Sequence, residues 1–202
     1  MQGSKTQQYW DSRYQQGLTG WDLGSVSPPI AQFLEGIQDP HTAILIPGAG
    51  NAYEAYFLHK KGFRNITVVD IAPTLIASHQ RKVKQEALEG IHFIEADFFS
   101  HTGTYDLILE QTFFCAIPPN QRSEYVKAMH ALLSPSGRLA GVLFNCEFEQ
   151  PGPPFGGSET EYRNLFEPYF NITTMEPCYN SIEARSGREL FIIITPKKIK
   201  TL

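Results

Sequence analysis

Two glycines and two aspartates stand at positions typical of a binding site for a nucleotide-like ligand. Gly48 and Gly50 lie in "ILIPGAGNAYEAYFL" (44–58), after an apolar run and before a helix-like stretch. Asp70 comes 22 residues after Gly48, at the end of the next apolar run, and Asp97 ends the run after that. A tight glycine turn lets the backbone approach a ligand, and a carboxylate one strand further accepts hydrogen bonds from ribose hydroxyls. A dinucleotide, a phosphate and S-adenosylmethionine are the candidate ligands.

The neighbouring residues favour S-adenosylmethionine among these three. A dinucleotide fingerprint needs a third glycine three residues after the second, and that position is Tyr53. A phosphate-binding loop ends in Gly-Lys-Ser/Thr, which this turn lacks. Asp97 and Phe98 together offer a polar group and a flat apolar neighbour for adenine. A phosphate-free nucleoside with an amino-acid tail fits this set best.

Strand and helix patterns alternate along the chain and must position these residues. Apolar runs predict strands at 42–47, 65–70, 91–97, 105–114, 138–144 and 189–195, and helical patterns predict helices at 52–61, 73–88 and 120–133. Asn51 and Glu54 have the spacing of an N-cap and its return partner, so the first of these helices is expected to start there.

This alternation, with nearly continuous apolar strands, predicts an α/β fold with a mostly parallel sheet and helices on both faces. Ligands of such sheets bind outside the carboxyl ends of the strands. Gly48, Asp70, Asp97, Glu110 and Gln111 are therefore expected along one edge. The segments before residue 42 and between 145 and 157 are expected to close the site.

Composition restricts the class of protein and its partners. The 202 residues carry a net charge of −4, which gives no basic surface for nucleic acid, and no apolar stretch approaches the length of a membrane span. Three scattered cysteines favour a reducing compartment, and neither they nor the six histidines show metal-ligand spacing. We expect a cytoplasmic, monomeric protein with no metal, nucleic-acid or membrane partner.

Three segments carry a resemblance to a known family: "YWDSRYQQGLTGWDLGSVSPPI" (9–30), "LILEQTFFCAIPPNQRSEYVKAMHALLSPSGRL" (107–139) and "GPPF" (152–155). They resemble the thiopurine S-methyltransferase family, and within it the plant-type thiol and halide methyltransferases. The resemblance implies a three-layer, Rossmann-like class I methyltransferase fold with seven strands and one domain over 1–202. It further implies an N-terminal helical cap at 1–41 and a lid loop at 145–157.

In that family the N-terminal aromatic segment covers the cofactor. The matching positions are Trp10, Tyr14, where the relatives have tryptophan, and Trp21. Trp10 and Tyr14 are four residues apart and share a face on a helix, and aromatic faces stabilise a sulfonium by about 0.5–2 kcal/mol per contact. The full set of expected cofactor contacts is Trp10, Tyr14, Trp21, Gly48, Gly50, Asp70, Ile71, Asp97, Phe98 and Gln111. Gln111 and Glu110 differ from the tyrosine and aspartate of the plant-type relatives.

The expected reaction is in-line transfer of the methyl group from S-adenosylmethionine. A thiolate, halide or chalcogen anion is already nucleophilic, whereas an amine or alcohol more often needs a base. "EQTF" (110–113) replaces the Asn/Asp-Pro-Pro-aromatic motif of many amino-methylating enzymes, which favours a small thiol or anion as acceptor. Phe114 and Phe155 are expected to line the acceptor pocket. One of Phe113 and Phe114 is expected in the core, because adjacent strand residues face opposite ways.

Several alternatives stay open from the sequence. An N or O acceptor, a nicotinamide-dependent oxidoreductase and a non-catalytic nucleoside-binding protein share parts of these patterns. Arg185 and Arg188 precede the last strand and can attract an anionic acceptor or lie in solvent. Cys115 lies in an apolar run without an assignable partner, which favours a buried, inert thiol. No residue is assigned as catalytic.

Overall fold

The computed structural model describes residues 6–48 and 50–198 as helices and strands around one sheet. The helices are α1 (Gln7–Gln15), α2 (Pro28–Glu35), α3 (Tyr53–Lys60), α4 (Pro73–Gln85), α5 (Arg122–Leu132) and α6 (Glu159–Phe166). The strands are β1 (Ile44–Pro47), β2 (Ile66–Asp70), β3 (Ile91–Glu95), β4 (Tyr105–Gln111), β5 (Leu133–Phe144), β6 (Phe170–Pro177) and β7 (Glu189–Pro196). Short 3-10 helices lie at Phe98–Ser100, Phe114–Ala116, Pro119–Gln121 and Glu183–Arg185.

Within these residues the strands follow the order β3-β2-β1-β4-β5-β7-β6. The first five strands in this order are parallel, and β7 runs antiparallel to both β5 and β6. All residues of β1 and β2 are buried, which is typical of central strands covered on both faces. The carboxyl ends of β1 to β5 therefore meet along one edge.

The sheet separates two hydrophobic clusters. Leu45 belongs to one cluster and Ile44 to the other, and successive strand residues point to opposite faces. Helices α2, α3 and α4 pack in the Ile44 cluster, whereas α5 and α6 pack in the Leu45 cluster through residues such as Met129 and Phe166. Each fully buried aliphatic or aromatic side chain stabilises the fold by about 1.5–3 kcal/mol. The predicted three-layer, seven-stranded architecture is confirmed.

Several predicted boundaries are wrong. The fourth strand ends at Gln111 rather than at residue 114, because Thr112 adopts a left-handed backbone conformation with φ 58°. Strand β6 had no matching apolar run, because solvent-facing residues interrupt its burial pattern. The proposed capping pair is also absent: α3 begins at Tyr53 after a left-handed Ala52, with no side-chain cap.

Candidate functional site

A cavity of about 680 Å³ lies along the carboxyl edge of the sheet. Its walls come from the N-terminal segment, the turn after β1, the ends of β2 to β5 and the loop before β7. Every predicted cofactor contact lies in the lining, namely Trp10, Tyr14, Trp21, Gly48, Gly50, Asp70, Ile71, Asp97, Phe98 and Gln111. The two predicted acceptor-pocket residues, Phe114 and Phe155, do not line it.

The turn after β1 depends on its first glycine. Gly48 has φ 66°, and a Cβ atom there would lie 2.4 Å from Cδ2 of Phe113. Gly50 has φ 50°, but a Cβ there would meet nothing closer than the Tyr14 hydroxyl oxygen at 3.8 Å. Glycine reaches such φ values without the cost that a side chain brings. Gly48 therefore lets the turn after β1 pack directly against the ring of Phe113.

His79 holds the same turn from the α4 side. Its Nε2 lies 3.0 Å from the Gly50 carbonyl oxygen, and its Nδ1 lies 2.8 Å from the Tyr56 hydroxyl. The carbonyl can only accept, so Nε2–H donates to it and Nδ1 accepts from Tyr56. Burial lowers the pKa of His79, and its ring stacks on Phe93 with centroids 4.6 Å apart. This neutral histidine fixes the turn.

Asp70 ends β2 and Asp97 lies two residues after the end of β3, on the same side of the cavity. Asp70 is buried, and one of its carboxylate oxygens accepts a hydrogen bond of 2.9 Å from the Ala72 N–H. Asp97 accepts one of 3.0 Å from the Phe99 N–H, which caps the short helix that begins at Phe98. The ring of Phe98 is buried beside this carboxylate. Asp70 and Asp97 supply hydrogen-bond acceptors, and the ring of Phe98 supplies a flat apolar surface.

The N-terminal segment places three aromatic rings over the cavity. The ring centroids of Trp10 and Tyr14, both on α1, lie 5.7 and 5.8 Å from that of Trp21, at near-perpendicular angles. Burial raises the pKa of Tyr14, and the negative charge of Asp70 raises it further. Trp10 and Tyr14 are only partly exposed, and both line the cavity. Residues 1–5 of the predicted cap lie outside the described residues.

Polar contacts fasten this segment to the body of the protein. Asp11 accepts hydrogen bonds from the backbone N–H and the hydroxyl of Thr74, at 2.8 and 2.9 Å, at the start of α4. Asp22 accepts one from the side-chain amide of Asn51. The prediction that Asn51 caps α3 is therefore wrong, because its amide bonds to Asp22 instead.

The turn after β4 forms around a buried glutamate. One Glu110 oxygen accepts hydrogen bonds of 2.9 and 2.8 Å from the backbone N–H groups of Phe113 and Phe114, and the other accepts one of 2.6 Å from the Tyr125 hydroxyl. Burial raises the pKa of Glu110 to about 7, against the opposing effect of these three donors. The turn carries Phe113 into the cavity wall and Phe114 into the core, where it is 1% exposed.

The β4–β5 side of the cavity combines aromatic rings with two arginines. Arg185 is buried, donates a hydrogen bond of 2.8 Å to the Trp21 carbonyl oxygen and pairs with Glu189 at 3.4 Å. Arg188 is exposed and lies over the ring of Phe148. Burial raises the pKa of Cys115 to about 12, so its thiol stays neutral.

The loop at 145–157 borders the β4–β5 side of the cavity, and hydrogen bonds to the body of the protein hold it in place. Arg122 donates hydrogen bonds to the Gly156 carbonyl oxygen at 2.8 Å and to Glu161 of α6 at 2.6 Å, and its guanidinium lies over the ring of Phe114. Phe155 donates its backbone N–H to the Cys115 carbonyl oxygen at 2.7 Å. Pro153 and Pro154 line the cavity, whereas Phe155 does not.

Sequence reasoning missed Glu54 as a cavity residue. Glu54 lies in the first turn of α3, lines the cavity and is 7% exposed. Burial raises its pKa to about 7, and the negative charge of Asp22 raises it further. Its position in the first turn of a helix is typical of a solvent-exposed capping residue, and no pattern in the sequence predicts that it is buried.

Residues 6–48 and 50–198 contain neither a metal-binding cluster nor a membrane-spanning helix. No group of three or more His, Cys, Asp or Glu side chains there is arranged to hold a metal ion. No helix in the same residues is long and apolar enough to cross a membrane.

Comparisons with known proteins identify relatives. A family model described as Thiopurine S-methyltransferase (TPMT) matches residues 5–191. The chain is 31% identical over 162 residues to Probable thiol methyltransferase 2 of Arabidopsis thaliana, covering 79% of this chain and 71% of the relative. It is 26% identical over 184 residues to Thiocyanate methyltransferase 1 of the same plant, covering 89% and 81%. The solved structure of the Burkholderia thailandensis 1,6-didemethyltoxoflavin-N1-methyltransferase, with bound S-adenosylhomocysteine, aligns with TM-score 0.70 and 20% identity over 95% of this chain and 86% of that one.

Proposed function

The chain belongs to the thiopurine S-methyltransferase family, and on this premise we propose that it methylates the sulfur of a small thiol, or a halide or inorganic chalcogen anion. It is an enzyme whose methyl donor is S-adenosylmethionine. The family assignment leaves no support for the alternative of a nicotinamide-dependent oxidoreductase.

We propose that the cofactor lies across the β3, β2 and β1 ends of the cavity. Asp70 accepts hydrogen bonds from the ribose hydroxyls, and Asp97 and Phe98 hold the adenine. Their positions on adjacent strand ends support this arrangement. The backbone of Gly48 and Gly50 approaches the tail of the cofactor, and Ile71 and Gln111 complete the walls.

The proposed role of Trp10, Tyr14 and Trp21 is to cover the sulfonium. Each aromatic face contributes about 0.5–2 kcal/mol to binding of a cation. The partly exposed rings of α1 support this role, because they line the cavity and a bound cofactor would cover them. In the same proposal residues 1–41 form the cap, 145–157 form the lid, and both belong to one domain over 1–202.

One observation carries the choice of acceptor. Among the described residues, no Asp, Glu or His lines the cavity on the β4–β5 side, where the acceptor would approach the methyl group. An amine or alcohol acceptor would lack a protein base there, whereas a thiolate or halide needs none. Arg185 and Arg188 supply positive charge on this side, which attracts anions.

In the proposed reaction the nucleophile forms a bond to the methyl carbon while the carbon–sulfur bond of the sulfonium breaks. Methylated acceptor and S-adenosylhomocysteine are the products. The protein orients the three reacting atoms in a line and excludes water from them. Phe113, Phe144 and Phe148 provide the apolar walls of the acceptor pocket, in place of the predicted Phe114 and Phe155.

We also propose that the enzyme acts as a monomer in the cytoplasm. Cys115, Cys146 and Cys178 form no disulfide with one another, which agrees with a reducing compartment.

A panel of acceptors tests the proposal. An aromatic thiol, hydrosulfide, iodide, a primary amine and an alcohol are compared at one S-adenosylmethionine concentration, with S-adenosylhomocysteine formation as readout. We expect turnover with the thiol and the anions only. Turnover confined to the amine or the alcohol would overturn the proposal.

An arginine variant sharpens the same test. Arg188→Gln should lower kcat/KM for an anionic acceptor roughly three- to tenfold, because it removes one nearby charge. Its affinity for S-adenosylhomocysteine should not change. Lys61→Gln, at a surface ion pair with Glu35, is the matched loss of charge away from the cavity and should alter neither quantity.

A further inference from the structure

Glu54 is a buried glutamate that lines the cavity. Only 7% of the Glu54 surface is exposed to solvent. Among the described residues no other residue donates a hydrogen bond to its carboxylate, and its own backbone N–H is the donor that acts on it. A carboxylate removed from water without a counter-charge is costly. The surroundings of Glu54 are therefore complete only when a donor enters the cavity.

The charges around Glu54 indicate that the missing group is a cation. Asp22, from the segment after α1, acts on Glu54 with a like charge. Tyr53 is its neighbour on α3 and lies near Asp22, 3.4 Å from hydroxyl to carboxylate. Among the described residues, the other titratable or charged side chains that line this part of the cavity are Tyr9, Arg13, Tyr14, Asp70 and Asp97.

The order of the strands shows which part of the cofactor reaches Glu54. Neighbouring strands lie about 4.8 Å apart, and the cavity crosses the ends of β3, β2 and β1 in that order. With adenine at Asp97 and ribose at Asp70, the amino-acid tail extends one strand further, over the turn between β1 and α3. Glu54 is in the first turn of α3.

Two other roles explain less of this arrangement. An acidic side chain in the first turn favours the helix dipole from an exposed position and gains nothing from burial beside a cavity. A metal site would need further ligands, and none of the described residues completes such a group.

We propose that the Glu54 carboxylate binds the ammonium group of the methionyl tail of S-adenosylmethionine. This inference rests on the proposed placement of the cofactor. The bond would fix the tail, and with it the direction in which the sulfonium presents its methyl group to the β4–β5 side.

Calorimetric titration of Glu54→Gln with two ligands tests the role. S-adenosylhomocysteine carries the amino-acid tail, and 5′-methylthioadenosine keeps the nucleoside and sulfur but lacks that tail. We expect roughly 10- to 100-fold weaker binding of S-adenosylhomocysteine at pH 8, with binding of 5′-methylthioadenosine within about twofold of the wild type. Equal losses for both ligands, or no loss for S-adenosylhomocysteine, would overturn the inference.

Asp70→Asn is the matched control, because a ribose contact is common to both ligands and its loss should weaken both equally. If the wild type bound neither ligand, the proposed cofactor site itself would fail. If the wild type bound both and Glu54→Gln changed nothing, only the inference about Glu54 would fail.

The pH dependence of the wild type gives a second readout that does not require the variant to fold. The preference for S-adenosylhomocysteine over 5′-methylthioadenosine should increase between pH 6 and pH 8, as Glu54 ionises. Glu54→Asp, which keeps the charge, should retain this increase. A preference independent of pH in the wild type would contradict the inference.

Discussion

The region after β1 and the end of β4 each carry a buried glutamate, Glu54 in the first turn of α3 and Glu110 within β4, but other described residues donate hydrogen bonds only to Glu110. Glu110 receives hydrogen bonds from two backbone N–H groups and from Tyr125. Glu54 receives none from another described residue and lies near the like charge of Asp22. Burial raises the pKa of both groups to about 7.

The difference teaches how two acids with similar burial can have different roles. Glu110 completes a turn and holds the ring of Phe113 in the cavity wall, so its partners are structural. Glu54 has no donor among the other described residues, so its carboxylate is available to a bound ligand. The partners of a buried acid, rather than its burial or its pKa, distinguish the two cases.

The largest expected effect comes from removing the satisfied acid. Glu110→Ala should lower the free energy of unfolding by about 3–5 kcal/mol, because two buried N–H groups and the Tyr125 hydroxyl lose their acceptor. Glu54→Ala should change it by no more than about 1 kcal/mol. Chemical denaturation measures both, and equal losses would erase the distinction between the two turns. Glu110→Gln, which keeps an acceptor, is the control and should lose less than the alanine variant.

A second prediction tests whether the two turns act together. Gly48→Ala should lower stability by about 2–4 kcal/mol and weaken S-adenosylhomocysteine binding at least tenfold, because its Cβ would overlap the Phe113 ring. Gly50→Ala carries the same kind of φ strain without that overlap and should cost about 1 kcal/mol. Comparing Gly48→Ala with Gly50→Ala, by chemical denaturation for stability and by calorimetry for binding, isolates the effect of the contact with the Phe113 ring. Similar losses in both variants would show that the Phe113 contact contributes nothing.

The smallest expected effect is a pH dependence. The pKa values of Glu54 and Glu110 are raised from 4.5 to about 7 in the folded state, so the unfolded chain releases these protons first as pH rises. Stability contributed by the two groups therefore falls between about pH 4.5 and 7, by roughly 1–3 kcal/mol each. Glu110→Gln should remove the part of this decrease in stability that Glu110 causes. The free energy of unfolding of variant and wild type is compared at each pH, so that the contribution of the histidines cancels. If the variant showed the same dependence of stability on pH as the wild type, the raised pKa assigned to Glu110 would be contradicted.

The sequence predicts the central part of the fold well, because its central strands are continuous apolar runs between clear helices. Asp70 ends β2 as expected from the pattern, whereas β3 ends at Glu95, two residues before the predicted end at Asp97. The sequence pattern does not predict strand β6, because an outer strand that faces solvent alternates polar and apolar residues only irregularly. The predicted end of β4 is wrong, since the apolar "FF" at 113–114 continues the strand pattern past a left-handed Thr112.

The candidate site shows the same limit at the level of side chains. The predicted cofactor residues all reach one cavity, since the strand ends and the aromatic segment are set by the fold. Asn51 and Glu54 fit a local capping pattern, but their actual neighbours come from the N-terminal segment and the cavity, which local spacing does not encode. Phe114 lies in the core because the turn rotates it away from the wall that Phe113 occupies.

Residues that decide which molecule an enzyme accepts are usually sought within reach of that molecule. Arg122 stands behind the cavity wall, yet it joins the Gly156 carbonyl, α6 and the ring of Phe114 through one guanidinium. A laboratory selection for new acceptors can therefore shift the loop at 145–157 through this position while leaving every lining side chain intact. Variant libraries restricted to residues that line the cavity would not include substitutions at Arg122.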